Sequence, residues 1–204
     1  MNSPSLYSQI SKNKIMTNVV MLGFVLFFAA FAYVIGRFFG SSATGLGFMV
    51  PAFLISAATS IGSFFFSDRI VLKMHNAKEV TESSAGGYRT VKNMVENLCK
   101  VAKIPTAKTY IMESDSLNAF ATGRGPKKGV VCLTTGIINA LDKSELEGVI
   151  AHEIAHIKNY DIRLMAVTGV LAGSIGMVAN WAMRSLMFSD REENKGGVIG
   201  MVLF

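Results

Sequence analysis

Charged residues leave three long gaps in this chain, and the gaps set its architecture. From 15 to 36 no residue is charged, a stretch about long enough to cross a ~30 Å hydrocarbon core. A second uncharged run covers 38–67, interrupted by Gly45, Gly47 and Pro51, and a third covers 164–183. The first run is long, lacks a clear small-residue cleavage site and is followed at once by the second, which separates it from a secretory signal. The two read as an uncleaved helical hairpin turning at Arg37, and all three runs as membrane spans. Between the second and third the period shortens. Val91, Met94, Val95, Leu98 and Val101 recur at helical spacing over 88–102, after a turn at 85–87, and Lys103, Ile104 and Pro105 end that helix. Residues 108–112 and 130–135 read as short strands parted by Gly- and Pro-containing turns, and 137–141 as a short helix. Leu146, Val149, Ile150, Ile154 and Ile157 again follow a helical period. Asp142 with Glu145 three residues on makes a capping-box pattern, so a helix is expected over 144–160.

Composition and charge refine this picture. Half of the 204 residues are hydrophobic, 17% are charged and the mean hydropathy is +0.40, high for a purely soluble domain. Lys12 and Lys14 precede the first span, Arg69, Lys73 and Lys78 follow the second, and the turn holds only Arg37, so both ends of the hairpin are expected in the cytoplasm. The expected organisation is a cytoplasmic tail, 1–14; a hairpin, 15–67, of spans 15–36 and 38–67; a cytoplasmic domain, 68–163; a third span, 164–183; and an external loop with the start of a fourth span, 184–204. The net charge of +6 does not point to nucleic acid, because acids and bases are interspersed in 68–163 and no basic stripe with interleaved aromatics occurs. Cys99 and Cys132 lie in the expected cytoplasmic region and read as reduced thiols; their spacing fits no zinc knuckle, and Cys132 reads as a small core residue.

The chemistry concentrates in one run, His152-Glu153-Ile154-Ala155-His156. Residues four apart lie on one face of a helix, so His152 and His156 can point at a single metal ion, with Glu153 next along the turn. Zinc held by neutral imidazoles lowers the pKa of a bound water to roughly 7, and an adjacent carboxylate can take that water's proton as it attacks a peptide carbonyl. Glu153 is thus expected as a base, not a ligand, in a zinc peptidase. A small sheet beside such a helix could hold an extended substrate by main-chain pairing at its edge. The candidate edges are 130–135, with Val130, Val131 and Cys132, or 118–121, with Asn118, Ala119 and Phe120.

The segments SLNAFATG at 116–123 and VVCLTTGIINALDKSELEGVIAHEIAHIKNYD at 130–161, with the flanking spans, resemble the HtpX heat-shock family of membrane zinc metalloproteases, relatives of the endopeptidases that process prenylated proteins. The resemblance covers essentially the whole chain. It implies an α+β, mostly helical integral membrane protein with an N-terminal transmembrane hairpin and a zincin-like cytoplasmic domain of a small β-sheet and the HExxH helix. It further implies one Zn2+ per subunit on His152 and His156 with Glu153 as base, and an Asp161 partner at the helix end. The implied activity is cleavage of damaged or misfolded membrane proteins at the bacterial inner membrane, with polypeptides and the lipid bilayer as partners. It also implies a third zinc ligand, a Glu on a helix beyond a fourth span, whereas this chain visibly provides two and 196–204 reads as a fourth span cut short. His75, Glu192 and Glu193 are the substitutes to weigh. Two other readings follow: a truncated member that keeps the fold without turnover, and a membrane scaffold that binds chains without cutting them.

Overall fold

The structure, a computed structural model, describes residues 6–40, 42–84 and 86–189. Two long helices, α1 (Leu6–Phe39) and α2 (Ser42–Met74), form the hairpin, and within them Ser8–Phe38 and Thr44–Met74 are long and apolar enough to cross a membrane. Their backbones meet at the turn, where a Cβ on Gly36 would lie 2.8 Å from the Cα of Gly45. Further along, Thr17 on α1 and Ser56, Ser60, Ser63 and Ser67 on α2 are buried. Small residues at such spacing let helices approach in lipid, where no hydrophobic force drives them together. Ser56 donates to the Ala52 carbonyl at 2.7 Å and Thr17 to the Asn13 carbonyl at 2.8 Å, each on its own helix, while Ser60 reaches the Met21 carbonyl of α1 at 3.4 Å and the Ser67 hydroxyl is buried without a partner among the described residues.

Two expectations change here. The helix α2 runs unbroken through Gly45, Gly47 and Pro51, because neighbouring groups in a membrane helix can re-satisfy the carbonyl that proline frees. The polar segment before the first span is not an open tail from residue 6 onward; it continues α1, and the Asn13 side chain donates to the Asn159 carbonyl at the end of the helix that carries His152 and His156.

The region after α2 is a four-stranded sheet packed on helices. In chain order come β1 (Lys78–Glu79), α3 (Gly86–Ala102), β2 (Lys108–Met112), β3 (Ala119–Gly123), a 3-10 turn (Pro126–Lys128), β4 (Gly129–Thr134), α4 (Thr135–Ala140), α5 (Lys143–Asn159) and α6 (Asp161–Ser189). Gly86 and Gly87, expected in a turn, already belong to α3. The strand order is β1-β2-β4-β3, with β2 and β4 parallel and both outer pairings antiparallel. Alternate side chains of β4 serve different layers, as the pleat requires. Val131 and Leu133 enter a core with Val91, Val95 and Cys99 of α3 and Ile150, Ile154 and Ile157 of α5. Val130 and Cys132 face the other way, against Leu72 at the end of α2 and Ala77.

This topology corrects one of the two candidate edges. Every residue of β4 is buried and the strand is hydrogen-bonded on both sides, so Val130, Val131 and Cys132 offer no free main chain to a substrate. The unpaired edge beside α5 belongs to β3. A hydrogen bond from the Thr134 N–H to the Asn118 carbonyl, 3.0 Å, sets the alternation along this antiparallel pair. Asn118, Phe120 and Thr122 therefore pair with β4, while Ala119, Ala121 and Gly123 present their N–H and C=O groups outward.

Tyr160, in the left-handed region at φ 63°, caps α5 and turns the chain directly into α6. Asp161–Asn180 of α6 is again long and apolar enough to cross a membrane. Residues 172–189 of α6 fall in a separate unit that begins at Ala172 and, where described, is helix to Ser189. The described part of the loop expected from 184 is thus helical. Glu192, Glu193 and the fourth-span residues 196–204 lie outside the described residues.

Candidate active site

The helix α5 begins as its sequence dictates. The Asp142 side chain accepts from the Glu145 N–H at 2.9 Å and the Glu145 carboxylate accepts from the Asp142 N–H at 2.9 Å, a complete capping box. Leu146, Ile150, Ile154 and Ile157 bury one face in the core. That leaves His152, Glu153 and His156 on a neighbouring face, towards β3, with His152 exposed and the other two half-buried.

The two imidazoles converge. Their Nε2 atoms stand 3.1 Å apart, with the rings nearly perpendicular at 88°. Two nitrogens bonded to one tetrahedral zinc at about 2.0–2.1 Å would be separated by about 3.3–3.4 Å, so the pair fits a shared ion within a few tenths of an ångström. The other ring nitrogen of His156, Nδ1, meets Asp161 Oδ2 at 2.9 Å. A carboxylate acceptor at this place favours the proton on Nδ1, and in the neutral ring that leaves the Nε2 lone pair towards His152, the form a metal ligand needs. Asp161, which the resemblance puts at the helix end as a partner, thus lies against the outer nitrogen of His156.

Asp161 is itself held. Its Oδ1 accepts from the Asn13 side-chain amide, which also donates to the Asn159 carbonyl at 3.0 Å. A residue of the first membrane helix thus braces the carboxylate behind a candidate ligand. Sequence reasoning missed Asn13, because nothing in the polar run before the first span indicates that α1 begins there or that this end of α1 reaches α5.

Glu153 faces the free edge of β3. The Ala121 main chain, one of the outward-pointing groups, hydrogen-bonds to its carboxylate. Burial pushes the Glu153 carboxyl above the ordinary range, while His156, the Ala121 hydrogen bond and His152 pull it back down. A divalent cation between the imidazoles would act in the same sense as the histidines. Of the other residues expected to bind substrate, Ala119 lies on the free edge with its side chain in the core shared with α5. Phe120 points to the α2 side, where its ring centroid is 5.7 Å from that of His75. His75 therefore sits across the strand from the imidazole pair and does not complete it. Among the described residues no group of three or more His, Cys, Asp or Glu side chains gathers at one point. Cys132 is fully buried and its thiol is pushed up to about 12 by that burial, which makes it a core residue.

Residues 88–203 match the model of peptidase family M48. The chain is similar to proteins named Protease HtpX homolog: it is 36% identical to that of Tropheryma whipplei strain TW08/27, over 98% of this chain and 66% of the relative. It is 39% identical to that of Streptococcus agalactiae serotype III strain NEM316, over 90% of this chain and 60% of the relative. For the protein of Ligilactobacillus salivarius strain UCC118 the identity is 38%, covering 97% of this chain and 67% of the relative. The chain thus spans 60–67% of the length of these curated relatives. With a match over more than half its length and relatives that share nearly all of it, the chain belongs to peptidase family M48.

Proposed function

We propose that this chain is a membrane-embedded zinc endopeptidase that hydrolyses peptide bonds of damaged or misfolded membrane proteins at the bacterial inner membrane, with its active site on the cytoplasmic side. The observation that carries the reading is the pair of Nε2 atoms 3.1 Å apart beside a carboxylate fixed to an open sheet edge. His152 and His156 would hold one zinc ion per chain. When bound, zinc supplies Lewis acidity and makes a water nucleophile available near neutral pH. Glu153 takes the proton of the attacking water and returns it to the leaving amine, and burial, which raises its carboxyl above the ordinary range, favours its acting as a base. The outward N–H and C=O groups of Ala119 and Gly123, with the Ala121 carbonyl between them, hold an extended substrate by main-chain pairing, which reads backbone rather than sequence and suits unfolded segments. Asp161, braced by Asn13, orients the His156 ring.

Orientation rests on the basic residues flanking the hairpin, Lys12, Lys14, Arg69, Lys73 and Lys78. Labelling of a Ser189→Cys variant in sealed vesicles is expected from the outer side only, and labelling from the cytoplasmic side alone would reverse the topology. For the metal, zinc content of the purified chain is expected to fall to background in His152→Ala and in His156→Ala. Unchanged zinc in both variants would remove the site from α5.

A further inference from the structure

A groove outside the active site gathers cations that form no ion pair among the described residues. It has a volume of about 340 Å³ and is lined by Phe64, Arg124, Gly125, Pro126, Lys127, Lys128 and Tyr160. Its floor is tightly built: Gly125 takes φ 130°, and a Cβ there would lie 2.4 Å from the Tyr160 ring. Three cation–π contacts stand around it. Lys14 lies 4.1 Å over Tyr160, Arg163 lies 4.5 Å over Phe64 and Arg124 lies 5.0 Å over Phe65.

These contacts mark one level of the molecule. Lys14 is the last charge before the first uncharged run, Phe64 and Phe65 come just before Asp68 and Arg69 at the end of the second, and Arg163 is the last charge before the third. The groove therefore sits where all three membrane helices pass from polar to apolar sequence. None of Lys14, Arg124, Lys127, Lys128 and Arg163 forms an ion pair among the described residues, and the groove lining contains no acid. The Nε atoms of Arg124 and Arg163 are buried without a hydrogen-bond partner. Basic residues flanking a span follow from topology alone, but Arg124, Lys127 and Lys128 come from the β3–β4 connection, far from any span in sequence.

We propose that this groove binds the phosphate of an anionic phospholipid, with the acyl chains running along Phe64 and Phe65 of α2. A soluble phosphate would use the cations and leave that apolar wall unfilled; a lipid uses both. Because Arg124 follows β3 directly, the bound headgroup would also hold the end of the substrate strand at the membrane surface.

The test is native mass spectrometry of the whole chain released from micelles containing dioleoylphosphatidylglycerol and dioleoylphosphatidylcholine. The wild type is expected to retain phosphatidylglycerol in preference. At about fivefold per cation removed, Arg124→Gln with Lys128→Gln should weaken retention by roughly 25-fold. Lys127→Gln with Lys128→Gln, both at exposed positions, should do so by a similar factor without any risk to folding. Lys100→Gln with Lys103→Gln, equal in charge change and outside the groove, should have no effect. Equal retention of the two lipids, retention by the Lys127/Lys128 variant at the wild-type level, or displacement of the lipid by millimolar glycerol phosphate would each overturn the proposal.

Discussion

Replacing Asp161 by alanine removes the only carboxylate that contacts a candidate ligand among the described residues. The lost interaction is a charge-assisted hydrogen bond of 2.9 Å between side chains that are 35% and 29% exposed. Hydrogen bonds to charged groups contribute about 1.5–3 kcal/mol, and access of water to both partners places this one at the lower end, about 1.5–2 kcal/mol. Zinc affinity should therefore fall by about ten- to thirtyfold, within the about 10–100-fold typical of partners behind metal-ligating histidines. Asp161→Asn is the more discriminating change. Its carbonyl can still accept from His156 Nδ1, but its amide then confronts the Asn13 amide, itself anchored on the Asn159 carbonyl. One contact of two is lost, and the cost should be about three- to fivefold, as for Asn13→Ala. The measurement is competition for zinc between the whole chain in micelles and a chelator of known affinity, with melting of the metal-free protein followed separately. Wild-type affinity in Asp161→Ala would reduce Asp161 to a plain charge at the end of a membrane helix. A larger loss in Asn than in Ala would refute the hydrogen-bond geometry.

Other outcomes follow from single positions. Gly125→Ala should destabilise the fold by about 1–3 kcal/mol from its positive φ alone, and more from the Tyr160 clash, read as a lower denaturation midpoint. Cys99 and Cys132 should resist alkylation in the native chain at pH 8 and react once it is unfolded, since both are fully buried and burial raises both thiols, Cys132 to about 12. Glu79 accepts from Lys108 at 2.8 Å and from the Tyr110 hydroxyl at 2.9 Å, and the Lys108 hydrogen bond is the main cause holding its carboxyl below the ordinary range. A depressed folded-state pKa gives stability that is present above the unfolded value and lost as pH falls through the folded one. Glu79→Gln should thus lower stability at pH 7, by about 1 kcal/mol or less at so exposed a site, and have no such effect at pH 3.

The elements that were legible carry their cause in local sequence. The α5 helix shows its capping box, its apolar stripe and its two histidines four apart, and Lys108–Met112 is a strand with the bounds its alternation gives. The third long apolar helix is visible in the sequence because charge is absent for about twenty residues, from 164 to 183. The interior position of β4 had a local sign, the continuous apolar run from Val130 to Leu133, since a strand buried on both faces does not alternate. By contrast β1 is only Lys78 and Glu79, with no pattern of its own, and exists because it pairs with Tyr110 and Ile111. The same holds for Asn13, whose role arises only when α1 is laid beside the start of α6.

Zinc-dependent peptide-bond cleavage by the whole chain, compared with Glu153→Gln, bears most directly on the proposed activity. Casein or a destabilised membrane protein serves as substrate in detergent, with zinc content measured on the same samples. The glutamine variant should keep its zinc, because Glu153 stands beside the imidazoles without being one of the pair, and should lose cleavage by a factor of at least about 100 as the proton acceptor is removed. Equal cleavage by wild type and variant, at background or above it, would contradict the assignment of Glu153 as the base of an active peptidase.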